Sequence, residues 1–226
     1  MNWRAAIGLL LFLALASCAS EGGSRGTGIS TAVLGNVASV QTAAVAAPAA
    51  RLGASLTLAA PAYARSAVEG IRVSVEGTAA QAKTDENGRF SLTGDFEGRL
   101  TLLFQLPDDA AAATVPINVP AAGILTLNNV IVDTRTGEAS AESQDVSFEG
   151  IATSVNCQDL TLAMMSVQQS PTDVDLYTVQ LDTSTVKDAQ GNVLRCEDLY
   201  GGARALLQGT VNTDGSFGHA SIQLED

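Results

Sequence analysis

A single histidine, His219, and three cysteines stand in a chain of 226 residues, and aromatics make up only 4% of it. The lone histidine excludes a multi-histidine metal site, and any Ser-His-Asp arrangement would have to use it. Its alternate neighbours Ser221 and Gln223 are polar, whereas Ala220, Ile222 and Leu224 are apolar. His219 therefore reads as a solvent-facing strand residue. Basic residues are scarce as well: 12 Lys and Arg stand against 24 Asp and Glu, a net charge of −12. The imbalance is steepest from Asp145 onward, where twelve carboxylates face only Lys187, Arg195 and Arg204. Such a surface repels a phosphate backbone, so nucleic acid is not an expected partner. It does not dock on anionic lipid headgroups by charge alone either. Beyond the first twenty residues no long segment holds a helical period, and no phosphate-binding glycine loop is present.

The first twenty residues, MNWRAAIGLL LFLALASCAS, have a different character. Arg4 supplies a basic start, and residues 5–16 form an apolar stretch too short to span a bilayer stably. Leu15-Ala16-Ser17-Cys18 then places small residues ahead of a cysteine. This arrangement resembles the signal peptide of bacterial lipoproteins. The resemblance implies cleavage after Ser17, acylation of Cys18, and a cell-envelope location. Ala19 rather than Asp follows Cys18, which resembles the sorting pattern for the outer membrane, facing the periplasm. The membrane is thus an expected partner through the anchor. Residues 18–28, ending in EGGSRGTG, read as a lipidated flexible tether.

The remainder alternates with a period of two. Residues 29–40 form a first strand candidate. Alternating apolar positions recur at Leu52–Leu58, Ile71–Val75, Phe90–Leu92, Leu100–Leu106 and residues 124–132, the last with an irregularity at Asn128-Asn129. Ala-rich stretches such as residues 43–50 and 110–113 read as loops or weakly packed segments. Asp85-Glu86-Asn87-Gly88 and residues 133–137, DTRTG, are turns. The small polar run at residues 138–145 reads as a domain boundary. Strand patterns resume at residues 146–155, Leu160–Met164 and Tyr177–Leu181. A turn at residues 188–191 follows, and a hairpin turns at Asn212-Thr213-Asp214-Gly215. The expected fold class is all-β: an Ig/transthyretin-like β-sandwich over residues 29–140, then a small OB-like β-barrel over residues 141–226.

Two resemblances bear on these units. Residues 70–106 carry Thr84-Asp85-x-x-Gly88-x-Phe90 between two strands. This is similar to the turn of carboxypeptidase regulatory-like domains, with a long Ala-rich insert before Gly70 as a departure. The resemblance implies a transthyretin-like sandwich serving as an accessory or adhesive module, without peptidase activity. Residues 148–224 carry Gly150-Ile151, Asp198-Leu199, Leu207-Gly209 and Asp214-Gly215. They resemble a family of exported bacterial domains of unknown function with an OB-like barrel, and no catalytic residues carry over.

Candidate sites are sparse. With Cys18 taken by the anchor, Cys157 and Cys196 form an even pair in an oxidising compartment, where a disulfide is expected. Gly22-Gly23-Ser24-Arg25-Gly26 has the spacing of a nucleophile elbow, but it lies in the tether without the flanking strand and helix. Asp85-x-Asn87-Gly88 opens like a calcium loop and lacks the later glutamate, so it reads as a turn. Asp108-Asp109, Asp173, Asp175 and Glu197-Asp198 read as solvated acidic faces. Tyr177 and Tyr200 are the candidate ligand contacts, able to stack on a sugar or peptide if exposed. No catalytic residue, cofactor or metal site is expected. The expected role is non-enzymatic, structural or binding, with an envelope protein or glycan as partner. Alternatives are a calcium- or carbohydrate-binding module, or a small envelope hydrolase or inhibitor with an acidic site.

Overall fold

Strand after strand in this chain places apolar side chains on one face and polar ones on the other, and the backbone pairs accordingly. The computed structural model describes residues 30–42, 68–107, 111–167, 176–212 and 214–225. Cys18 with its leader and tether, the Leu52–Leu58 segment, Asp108, Asp109, Asp173 and Asp175 lie outside the described residues. Among the described residues the fold is all-β, with one three-residue 3₁₀ turn at Cys196–Asp198. The strands are β1 Thr31–Gln41, β2 Arg72–Val75, β3 Gln81–Lys83, β4 Arg89–Gly94, β5 Gly98–Gln105, β6 Ala112–Val119 and β7 Ile124–Asp133. They continue with β8 Glu138–Ser140, β9 Ser143–Asn156, β10 Thr161–Ser166, β11 Tyr177–Gln180, β12 Thr185–Lys187, β13 Arg204–Val211 and β14 Phe217–Leu224.

Hydrogen bonding joins them into one large sheet. In the first half, β1 lies antiparallel to β4 and parallel to β7, while β5 lies between β2 and β6. Side chains from both groups meet in one apolar cluster. Phe90 of β4 meets Phe104 of β5 edge-on at 5.7 Å, with Val33, Leu102, Leu125 and Leu127 fully buried around them. Each such side chain contributes about 1.5–3 kcal/mol on burial. In the second half the pairings run β9–β10–β11–β14–β13 and return to β9. A second cluster fills this ring, built on Phe148, Tyr177 and Phe217 with Leu162, Met164 and Ile222. Tyr177 and Phe217 stack at 5.5 Å, and Phe148 lies 5.2 Å from Tyr177.

Two sequence expectations need correction. The Ala-rich run at 110–113 is not a loop throughout: Ala112 opens β6, and Ala113 is buried in the first core. Pro116 hid this strand. It is tolerated because β6 is paired along its length only with β5, whereas its other side meets β8 at the single pair Thr114↔Glu138. The polar run at 138–145 is also more than a connector. Glu138–Ser140 pairs with the end of β7, and residues 143–147 of β9 pair with residues 124–128 of the same strand. Ser166 at the end of β10 further donates to the Ala121 carbonyl at 2.7 Å.

The Thr84-to-Phe90 motif is a hydrogen-bonded turn that fastens β4 to β1. Thr84 is buried; its hydroxyl donates to the Val68 carbonyl and accepts from the Ile71 amide at 2.9 Å. Asp85 Oδ1 accepts from the amides of Asn87 and Arg89, both at 2.8 Å, which closes the turn. That oxygen is therefore engaged by its own backbone, as an Asx turn requires. Gly88 has φ +74 and its carbonyl accepts from the Val37 amide at 2.8 Å. A Cβ there would lie 2.2 Å from the Val37 carbonyl oxygen. Gly88→Ala is therefore expected to cost about 3 kcal/mol, combining left-handed strain with displacement of β1. Chemical denaturation of the variant checks this, and a loss below about 1 kcal/mol would show that the turn can relax.

Candidate functional site

Neighbouring residues on one strand point to opposite sides of a sheet, so Gln144 and Asp145 of β9 open onto different surfaces, as do Val211 and Thr210 of β13. On the Gln144 and Val211 side, β5 and β6 of the first half stand across from β11 and the β13–β14 turn. Between them lies a groove of about 850 Å³. Its polar wall includes Arg99, Thr101, Asn118, Gln144, Thr178 and Asn212, and Leu176, 58% exposed, stands at its rim. Val211 packs on both apolar clusters, so the groove sits where the two cores adjoin.

The electrostatics of the groove are nearly balanced. Arg99 contributes a cation and Asp214 an anion. Asp214 accepts from the Ser216 hydroxyl at 2.7 Å and the Ser216 amide at 2.9 Å, and these bonds hold its carboxyl below the usual range. Asn118 Oδ1 is buried and has no hydrogen-bond partner among the described residues. An unmatched buried acceptor is uncommon and costs about 1–3 kcal/mol. Elsewhere on the surface, Arg135 grips Asp133 through Nε and Nη2 at 2.9 and 2.7 Å, which lowers the Asp133 carboxyl to about 2. That pair fastens a turn and lines no pocket among those described.

The two tyrosines do not converge. Tyr177 is only 3% exposed; its ring belongs to the core, although the residue also borders the groove. It is thus corrected from a surface stacking candidate to a packing residue, because the second core draws its aromatic character from Phe148, Tyr177 and Phe217 together. Tyr200 is 65% exposed and does not line the groove. It follows the 3₁₀ turn that carries Cys196, which is bonded to Cys157 as expected, with Cα atoms 5.6 Å apart. Glu197 and Asp198 share that turn, and Asp198 Oδ2 accepts from the Arg195 amide at 3.0 Å. Among the described residues no group of three or more His, Cys, Asp or Glu is placed to hold a metal ion. No helix among them is long and apolar enough to cross a membrane.

Sequence reasoning singled out Tyr177 and the Asn212–Gly215 turn, which border the groove, but missed Arg99 and Asn118. Asn118 lies on the strand that Pro116 concealed, and Arg99 is its partner across the ladder, a pairing that no local pattern announces. The chain matches no protein-family model, and no curated protein is significantly similar to it.

Proposed function

We propose that this chain is a lipid-anchored protein of the cell envelope, attached through Cys18, that acts by binding rather than by catalysis. On this reading residues 29–140 are a transthyretin-like sandwich akin to carboxypeptidase regulatory-like domains, and residues 141–226 are an OB-like barrel. The ring of pairings through β9, β10, β11, β14 and β13 supports the second assignment, since a closed ring leaves no free edge. The Thr84–Phe90 turn supports the first. The outer membrane is the proposed location, and its partner is an envelope protein or glycan rather than nucleic acid, which the excess of carboxylates repels.

The observation that carries the binding role is the groove between β5–β6 and β11, with the exposed Leu176 at its rim and Arg99, Thr101, Gln144 and Thr178 along its wall. A photo-crosslinking side chain placed at Thr178, inside the groove, tests it in intact cells. The full chain is expected to give a discrete adduct from Thr178 and none from Gln190, on an exposed turn outside the groove. Equal labelling from both positions, or none from either, would overturn the assignment.

A further inference from the structure

The opposite side of the same sheet carries a second concavity, of about 420 Å³, and its geometry is more specific. Four adjacent strands, β7, β9, β13 and β14, present their outward residues in register. One row runs Ile124, Ser147, Gln208, Ser221, and the next begins Thr126, Asp145, Thr210. His219 completes the second row through a break in the ladder. Gln208 pairs with Ser221 and Thr210 with Gly218, so Gly209 alone stands opposite both His219 and Ala220. This is a β-bulge, a device that re-aims a side chain.

His219 holds φ +48 at that bulge. The left-handed region favours glycine, and an ordinary side chain there is strained. The strain is maintained by neighbours: the His219 amide donates to Thr183 Oγ1 at 3.3 Å, and the Ala220 amide to Ser184 Oγ at 3.1 Å. The single histidine of the chain thus occupies a position where glycine would sit more easily, and it is exposed. Strained residues of this kind cluster where a side chain is required for contact.

The chemistry of the surface narrows the ligand. No cation lines it, and its one carboxylate, Asp145, is already engaged: Oδ1 accepts from Thr210 at 3.0 Å and Oδ2 from the Asn128 amide group at 2.7 Å. An anion finds no counter-charge there. A peptide strand finds no open backbone, since each of the four strands is paired on both sides. What remains is a set of hydroxyls, an amide and an imidazole, all of which can donate and accept, around Ile124, which is 45% exposed. A saccharide ring matches this, with hydroxyls around its rim and a C–H face for Ile124.

We infer that the surface formed by Ile124, Ser147, Gln208, His219 and Ser221 is a binding site for a neutral glycan. It names a ligand class within the binding role proposed above but uses a different surface from the groove, so either can fail alone. The His219 imidazole gives one Cε1–H proton resonance, a reporter that needs no assignment. Titrating the full chain with the neutral tetramers of N-acetylglucosamine and of glucose is expected to move that resonance saturably below about 10 mM for at least one of them. His219→Gly relieves the backbone strain and removes the ring, so this variant is expected to melt no lower than the parent. By calorimetry it should bind the same tetramer at least about tenfold more weakly, and Gln208→Ala should do likewise. Failure of both tetramers to bind would overturn the inference while leaving the groove adduct at Thr178 untouched. So would unchanged affinity in His219→Gly, or loss of affinity in Tyr200→Ala instead. Tighter binding of a phosphorylated sugar than of its neutral parent would overturn the assignment to neutral ligands.

Discussion

Replacing Cys157 and Cys196 together by Ser is expected to lower stability by about 4 kcal/mol. The two positions are 39 residues apart, and in the chain-entropy treatment a closed loop of that size restricts the unfolded chain by about this amount. The location of the bond adds to the argument. Cys157 begins the turn between β9 and β10, and Cys196 lies in the long connection between β12 and β13. Between them lie β10, β11 and β12, which supply Leu162, Met164, Tyr177, Val179 and Val186 to the second core. In the unfolded chain the bond keeps this whole segment looped back on β9. Without it, the connection that carries the 3₁₀ turn is still fastened near its two ends, by the Leu194 amide on the Val186 carbonyl at 2.9 Å and the Gly202 amide on the Ala152 carbonyl at 2.7 Å. Urea denaturation of the double variant, compared with the oxidised parent at the same pH, measures the loss. A lower midpoint with a steeper dependence on urea would indicate an unfolded state that has expanded, as the removal of a cross-link requires. A change smaller than about 1 kcal/mol would show that the bond closes a loop already ordered in the unfolded chain.

How far the fold could be read from the residues depended on range. Period-two alternation located strands because each buries alternate side chains: Ile71, Val73 and Val75 are all buried, as are Phe90 and Leu92. The irregularity at Asn128-Asn129 is a real break in the β1–β7 ladder, where Asn129 has φ +50 and its amide donates to Asn36 Oδ1 at 3.1 Å. Turns at Asp85 and Asp188 were legible because their chemistry is local; Asp188 Oδ1 accepts from the Gln190 and Asn192 amides at 3.0 and 2.7 Å. Partners were not legible. Nothing in β1 specifies a parallel pairing with a strand some ninety residues away. Tyr177 illustrates the same limit at the site. Its polar tip suggested exposure, but whether a tyrosine is inside depends on what closes over it, here Phe148 and Phe217. His219 was rightly placed facing solvent, yet its strained backbone came from a bulge that depends on Gly209 across the ladder.

Cys18→Ala is expected to abolish membrane attachment while leaving the folded part intact. The sequence holds three cysteines, and the Cys157–Cys196 bond accounts for two, so the substitution removes no cross-link from the β-structure. Anchoring, on the proposed reading, depends wholly on the acyl chains at Cys18. Each buried methylene contributes about 0.8 kcal/mol, and one chain alone gives only marginal, reversible binding, so two or more are needed for a stable anchor. The rest of the chain offers little substitute, since a net charge of −12 opposes attraction to anionic headgroups. The parent should therefore sediment entirely with membranes and resist extraction by high salt, which strips proteins held by charge. The variant should appear in the soluble fraction or as an unprocessed precursor, with the same thermal unfolding as the parent once purified. Intact-mass measurement of the native protein gives the independent check: loss of residues 1–17 and a gain corresponding to diacylglyceryl and further acylation at Cys18. A native protein that carries an unmodified Cys18 thiol, or that keeps Met1 to Ser17, would refute the anchor and with it the envelope assignment.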